Sequence, residues 1–217
     1  MAKPGKRDIV RALLKRYPRS HAEELGIDVA KNTPAPLYQW LIVSLLFSAR
    51  IGAGQAQKAA KALLDEGWKT PKRMAEVSWE ERVRVLNHAG YARYDESTSR
   101  YIADTTALLL KDYGGDLRNL RAAAERDPAE ERKRLIAFKG IGDVGADIFF
   151  REAQGAWDEL YPFADKRALH AADQLGLGGS AEDLAKLVKR RELPRLLSAL
   201  VRADLARETD AILKSVT

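Results

Sequence analysis

The stretch LIAFKGIGDVGADIFFR, residues 135–151, decides the fold of this chain. Gly140 and Gly142 lie one residue apart, between the apolar end of one segment and the start of a new segment with apolar residues at helical spacing. Glycine is favoured where the backbone takes a positive φ or approaches another backbone closely. The pattern therefore predicts a helix-hairpin-helix motif at about 130–153. The N–H groups that open its second helix would point outward, where they can bind an anion such as phosphate.

A second stretch, YPFADKRALHAADQL at residues 161–175, contains a candidate acid. Asp165 directly precedes a segment whose alanines and leucines recur at helical spacing, which predicts that its carboxylate caps a helix. Two interpretations stay open at this point. Asp165 either only caps the helix, as aspartate often does, or it also takes part in chemistry.

The rest of the chain also has the pattern of a helical protein. Alternation typical of strands is absent, which predicts the all-α class. The run LYQWLIVSLLFSA at 37–49 is apolar nearly all round and predicts a buried central helix. Thr33-Pro34-Ala35-Pro36 before it predicts a stiff break in the chain and a lobe boundary.

These stretches resemble the helix-hairpin-helix and aspartate of the endonuclease III and adenine glycosylase superfamily of base-excision repair, the HhH-GPD superfamily. The runs LIVSLLFSARIGAGQAQKAAKALL at 41–64 and LNHAGYARYDESTSRYI at 86–102 resemble two further helices of that superfamily. The resemblance covers most of residues 36–177. It implies two helical lobes with a cleft between them. One lobe would span 36–160 and contain the motif, and the other would combine 1–35 with 161–217.

The resemblance also implies an activity, the hydrolysis of the N-glycosidic bond of a damaged or mispaired base in double-stranded DNA. Breaking that bond leaves positive charge on the sugar, and a carboxylate can stabilise it, so Asp165 is the catalytic candidate. Arg50 and Tyr91 are candidates to fill the gap left by the flipped base. For each, the alternative is structural, a solvated arginine or a partly buried tyrosine. The remaining predicted DNA-binding residues are Lys139, Gly140, Ile141, Gly142, Val144, Gly145 and Lys166.

One position departs from the bifunctional members of the superfamily, which carry a Schiff-base lysine two residues after the second hairpin glycine. Here that position is Val144, which cannot act as a nucleophile. The sequence therefore favours a monofunctional glycosylase. Two alternatives remain, a bifunctional enzyme that uses Lys139 or Lys166 instead, and a helix-hairpin-helix protein that binds DNA without catalysis.

The amino-acid composition limits which cofactors and partners this chain can have. The chain has no cysteine, which excludes the cysteine-held iron–sulfur cluster of many endonuclease III relatives. Its three histidines form no ligand pattern, so no catalytic metal is expected, although a monovalent cation at the hairpin is compatible with the resemblance. The net charge of +6 suits a polyanionic partner. With no secretory signal and no apolar run long enough for a membrane span, we expect a cytoplasmic protein. We also expect it to be a monomer.

Overall fold

The structure is a computed structural model that describes residues 4–216. Those residues form helices and loops without any β-strand, which confirms the all-α class. Short 3-10 helices occupy Val29–Lys31, Asp158–Leu160 and Arg190–Glu192. The α-helices are α1 (Lys6–Arg16), α2 (His21–Glu24), α3 (Pro34–Ser48), α4 (Ala53–Asp65), α5 (Pro71–Ala75), α6 (Trp79–His88), α7 (Asp95–Tyr113), α8 (Leu117–Ala123), α9 (Pro128–Ile136), α10 (Asp143–Ala153), α11 (Lys166–Gln174), α12 (Ala181–Ala185), α13 (Leu193–Ala206) and α14 (Thr209–Lys214).

The predicted helix-hairpin-helix is confirmed as α9, the turn around Gly140, and α10. Its first helix starts at Pro128, whose missing N–H costs nothing in the first turn, and Asp127 caps that turn through the N–H groups of Ala129 and Glu130. The local sequence is thus sufficient to start α9.

The buried central helix is confirmed as α3, which buries nine of its fifteen residues, including Trp40. Its start differs from the prediction of a break at Thr33–Pro36. Thr33 is instead the N-cap, and Pro34 and Pro36 lie inside the first turn. Proline is tolerated there because the first N–H groups of a helix have no partner within it.

The chain divides into two compact units. One consists of Ile27–Phe149, and the other combines Met1–Gly26 with Phe150–Thr217. The lobes predicted from the sequence, 36–160 and 1–35 with 161–217, have other boundaries, and their arrangement around a cleft stays a prediction. The second boundary falls within α10, between Phe149 and Phe150. One continuous helix thus contributes residues to both units.

The unit made from both chain ends has its own hydrophobic core. Ala168, Ala171 and Ala172 of α11 are fully buried in it, which allows α11 to pack closely against the leucine-rich helix α13. Helix α1 contributes Ile9 and Leu13 to the same core. The short side chains of α11 thus fix the position of the residue that caps it, Asp165.

Among residues 4–216, no helix combines the length and the apolar character that crossing a membrane would require.

Candidate functional site

The hairpin depends on glycine at its first position. Gly140 has a φ of +86°, in the region that side chains rarely adopt. A Cβ atom at this position would lie 2.9 Å from Cδ2 of Tyr101 on α7. The turn therefore needs glycine both for its backbone conformation and for its close approach to the tyrosine ring.

Side chains of the same unit hold the hairpin backbone in place. The hydroxyl of Thr105, one helical turn after Tyr101, donates to the carbonyl oxygen of Lys139 at 3.0 Å. The N–H of Ile141 donates to the carbonyl oxygen of Phe138 at 3.0 Å. The side chains of Ile141 and Phe138 are both buried. Helix α7 and the core thus present the turn as a rigid element, as precise backbone contacts to a ligand require.

The hairpin residues predicted to bind DNA divide into exposed and buried ones. Lys139, Gly142 and Val144 are exposed, and Val144 has 60% of its surface accessible. Gly142 has an ordinary φ and open space around its Cα, so nothing inside the protein requires glycine there. Gly145 is buried, and a Cβ on it would lie 3.3 Å from Cγ2 of Ile141. Gly142 is therefore the hairpin glycine that is free to serve a ligand.

The negative charge of one hairpin residue, Asp143, would repel an anion bound at the start of α10. Asp143 opens α10, and 84% of its side chain is exposed. Its carboxylate lies 3.7 Å from Arg132 of α9, whose guanidinium also pairs with Asp147 one turn further along α10. A negative charge at a helix N-terminus stabilises the helix, but it repels a phosphate at the same place. Sequence reasoning about the glycines missed this feature, although the letters GIGDVG contain it.

The two candidates for filling a DNA gap differ in accessibility. Arg50 follows α3, is exposed, and makes no hydrogen bond or ion pair to any described residue. Tyr91 is only 1% exposed, and its hydroxyl donates to the carbonyl oxygen of Leu46 at 3.1 Å. Burial raises the pKa of the Tyr91 hydroxyl to about 12. This corrects the prediction for Tyr91, because a side chain enclosed in the core presents no surface to DNA, whereas Arg50 keeps its predicted role as a candidate.

Asp165 is the N-cap of α11, as its sequence position predicted. One carboxylate oxygen accepts from the backbone N–H groups of Arg167 at 3.1 Å and Ala168 at 3.2 Å. The other accepts from Nε of Arg151 at 2.7 Å. Only 5% of the Asp165 side chain and 7% of the Arg151 side chain are exposed, so the two form a buried ion pair. Lys166, the next residue, is exposed.

Sequence reasoning missed Arg151, in the last turn of α10, and Gln154, directly after that helix. The side-chain amide of Gln154 donates to the carbonyl oxygen of Phe163 at 3.0 Å and accepts from its N–H at 3.1 Å. The two residues thus fix both the backbone before Asp165 and its carboxylate. A signal was present, because Arg151, Glu152 and Gln154 follow an apolar run and buried charges need partners.

A second buried carboxylate lies beside Arg151 in the chain. Glu152 accepts hydrogen bonds from the hydroxyls of Ser20 at 2.9 Å and Ser198 at 3.3 Å. Burial raises the pKa of Glu152. Nδ1 of His21 lies 2.7 Å from the Ser198 hydroxyl, and burial, followed by the charges of Arg151 and Arg202, lowers the pKa of His21 well below its usual value. The neutral imidazole can therefore share this network of hydroxyls without adding a buried charge.

No group of three histidine, aspartate or glutamate side chains within residues 4–216 is arranged to hold a metal ion. The absence of a catalytic metal and the monovalent cation at the hairpin stay predictions.

The structure is similar to solved structures of DNA glycosylases. A trapped covalent intermediate of endonuclease III with DNA has 20% sequence identity and a TM-score of 0.52, with 89% of this chain and 82% of that chain covered. A non-covalent endonuclease III–DNA complex has the same identity and TM-score, with 89% and 81% covered. The H. pylori 3-methyladenine DNA glycosylase MagIII, bound to 1,N6-ethenoadenine, has 15% identity and a TM-score of 0.50, with 95% and 97% covered.

Comparison with protein-family models and with curated proteins finds no match. The structural similarity shows that this chain has the fold of helix-hairpin-helix DNA glycosylases.

Proposed function

We propose that this protein is a DNA glycosylase of base-excision repair, which hydrolyses the N-glycosidic bond of a damaged or mispaired base in duplex DNA. The observation that carries the proposal is the position of Asp165 in a glycosylase fold, as the cap of the helix that follows the helix-hairpin-helix. Two of the similar solved structures are complexes with DNA, and the third contains a modified adenine.

In the proposed reaction, the base leaves with the electron pair of its bond to C1′ of the sugar. The positive charge that develops on the sugar is stabilised by the carboxylate of Asp165. Water adds to C1′, and one of its protons is transferred to the departing base, which leaves an abasic site in an intact strand. Arg151 would act as a positioning residue, since its guanidinium fixes the direction of the carboxylate through a 2.7 Å hydrogen bond.

The hairpin would hold the DNA backbone next to the lesion. Lys139 supplies a positive charge, and the exposed backbone at Gly142 supplies N–H groups at the start of α10. Arg50 would fill the space left by the flipped base, as an exposed side chain with no partner among the described residues.

A monofunctional reaction is proposed because Val144 occupies the position of the lysine in bifunctional enzymes of the superfamily. Its side chain is exposed, as a residue facing DNA would be, but it carries no amine. The exposed amines of Lys139 and Lys166 are the groups that a bifunctional mechanism would have to use instead.

One observation favours a second candidate function, DNA binding without catalysis. The carboxylate of Asp165 accepts three hydrogen bonds, and its charge is already balanced by Arg151. Such a group is well suited to a purely structural role, because a buried ion pair with satisfied hydrogen bonds needs no ligand.

The test is a panel of duplexes, each with one lesion or mismatch, assayed for base release with and without alkali. The proposal expects release from at least one duplex, with strand breaks only after alkali or heat. Strand breaks without alkali, together with a protein–DNA adduct trapped by borohydride, would indicate the bifunctional alternative. Binding of the duplexes without release from any of them would support the second candidate.

A further inference from the structure

The unit made from both chain ends carries an open groove of about 790 Å³ between α1 and residues 186–195. Its floor is apolar. Val10 and Leu14 of α1 line one side, and Leu187 and Val188 line the other. Val10 belongs to the core of this unit and the other three are partly buried against it. The groove thus exposes the edge of a hydrophobic core instead of covering it.

The sides of the groove are strongly basic. Arg7, Arg11 and Lys15 follow one another at intervals of four residues, which places them along one face of α1 beside Val10 and Leu14. Among residues 4–216, only one acidic residue lines the groove, Glu192. The cations that line it are Arg7, Arg11, Lys15, Lys186, Lys189 and Arg195.

Four of these six cations form no ion pair with any residue of 4–216. Arg11 pairs with Asp8 and Lys186 with Asp183, both on the surface. Arg7, Lys15 and the side chain of Lys189 form no ion pair with any described residue.

Arg195 contributes a further positive charge to the groove. Its Nε has no hydrogen-bond partner among the described residues. Unpaired cations beside an apolar floor make this surface complementary to an anionic ligand that also has an apolar face.

We propose that the groove binds an acidic amphipathic helix of a partner protein. The apolar face of that helix would pack on Val10, Leu14, Leu187 and Val188, and its carboxylates would pair with the cations on both sides. Helix α1 has eleven residues and is about 16 Å long, so about three turns of a partner helix would cover it. None of the residues that line the groove is among the proposed glycosylase residues, and the proposal does not depend on that activity.

The composition of the groove favours a peptide over a nucleic acid. Single strands bind to platforms of aromatic side chains, and none of the described residues that line this groove is aromatic. Duplex DNA is held by contacts to phosphates, which an apolar floor cannot provide. A helix with one apolar and one acidic face uses both the floor and the charged sides.

The experiment measures binding of the full-length protein to a fluorescent synthetic peptide of about 15 residues. The peptide carries leucines at i, i+3, i+4 and i+7 spacing and glutamate elsewhere. A scrambled peptide of the same composition has the same charge without the apolar face. The test variant is Arg7→Glu/Lys15→Glu, and the matched control is Arg19→Glu/Lys214→Glu, which changes the net charge equally at exposed residues of the same unit outside the groove.

The expected result is saturable binding of the amphipathic peptide with a Kd below about 100 µM. The scrambled peptide and the test variant should each weaken binding at least about tenfold, and the control variant should not. Equal thermal unfolding temperatures would verify that both variants are folded. If the test variant is not folded, Arg7→Gln/Lys15→Gln takes its place.

Three outcomes would overturn the proposal. The first is no saturable binding, or equal loss in the test and control variants. The second is a test variant that loses affinity for a duplex oligonucleotide but not for the peptide, which would assign the groove to nucleic acid. The third is a dimer, detected by sedimentation without peptide and abolished in the test variant, which would make a second copy of the chain the occupant.

Discussion

Asp165 caps α11 and also forms a buried ion pair with Arg151, and a substitution to asparagine affects these two interactions differently. Asparagine can still cap α11, and from the cap alone Asp165→Asn would change stability little. It removes the charge that balances Arg151, however, and both side chains are buried. We therefore expect Asp165→Asn to lower the free energy of unfolding by about 3–5 kcal/mol, the usual cost of an uncompensated buried charge. Urea denaturation measures this, and a loss below about 1 kcal/mol would contradict the argument.

A comparison with Arg151 separates catalysis from stability at the same pair. Arg151→Gln breaks the ion pair but keeps the carboxylate and the cap. If Asp165 is catalytic, Asp165→Asn should reduce base release at least about 10²-fold. Arg151→Gln should reduce it less. Both variants are assayed at a temperature at which circular dichroism confirms that they are folded. Base release at the parental rate in folded Asp165→Asn, or equal losses in the two variants, would contradict a catalytic role that belongs to the Asp165 carboxylate itself.

The raised pKa of Tyr91 should make the stability of the protein depend on pH in the alkaline range. Burial raises its pKa to about 12, against about 10 in an unfolded chain. Its contribution to stability is therefore complete below about pH 10 and is lost as the pH rises through about 12. Tyr91→Phe should cost about 1 kcal/mol at neutral pH, because the hydrogen bond to Leu46 is lost. The variant should also lose less stability than the wild type between these pH values, as measured by urea denaturation, and parallel curves would contradict this.

At the scale of elements, the two glycines of the hairpin have different roles. Gly140→Ala places a methyl group at positive φ and against Tyr101, and should lower the free energy of unfolding by more than about 1 kcal/mol. Gly142→Ala should cost less, below about 1 kcal/mol, because its φ is ordinary and the space around it is open. Gly142→Leu should weaken duplex binding at least about tenfold by keeping the phosphate away from the backbone. Thermal unfolding and fluorescence anisotropy measure the two effects, and a Gly142→Leu variant with normal binding would exclude the hairpin contact.

Removing the negative charge at the start of α10 should strengthen duplex binding, whereas Gly142→Leu should weaken it. Asp143→Asn removes an exposed negative charge where the proposed phosphate would lie. Duplex affinity should rise a few-fold at low salt, and the gain should shrink as salt screens the charge. Stability should fall by about 0.3–1 kcal/mol, since the carboxylate favours the helix N-terminus. Glu66→Gln, at an exposed position on another helix end, is the matched control. Equal gains in both variants would indicate only an effect of net charge.

At the scale of the whole molecule, a net charge of +6 predicts duplex binding that is independent of sequence and sensitive to salt. Phosphate contacts release counterions, so Kd should increase at least about tenfold between about 50 and 200 mM NaCl. Anisotropy titrations with two duplexes of unrelated sequence measure this. Binding that does not change with salt, or no binding at low salt, would contradict the DNA-binding proposal.

The amino-acid sequence by itself determined the all-α class, the buried central helix, the helix that Asp165 caps and the helix-hairpin-helix. Apolar spacing, the cap at Asp165 and the pair Gly140 and Gly142 are local signals, because a helix or a tight turn is specified by residues within a few positions of one another. The absence of cysteine and of a lysine at Val144 is equally local.

Only the tertiary structure decided which side chains are buried and which partners they have. Tyr91 lies in the core because α3 places the carbonyl oxygen of Leu46 beside its hydroxyl, 45 residues earlier in the chain. Asp165 is paired because α10 ends where Arg151 reaches its carboxylate, 14 residues away across a loop. Gly140 needs to be glycine partly because of Tyr101 on another helix. Such contacts depend on how helices pack, and the packing is set by the whole core, so no local pattern contains it.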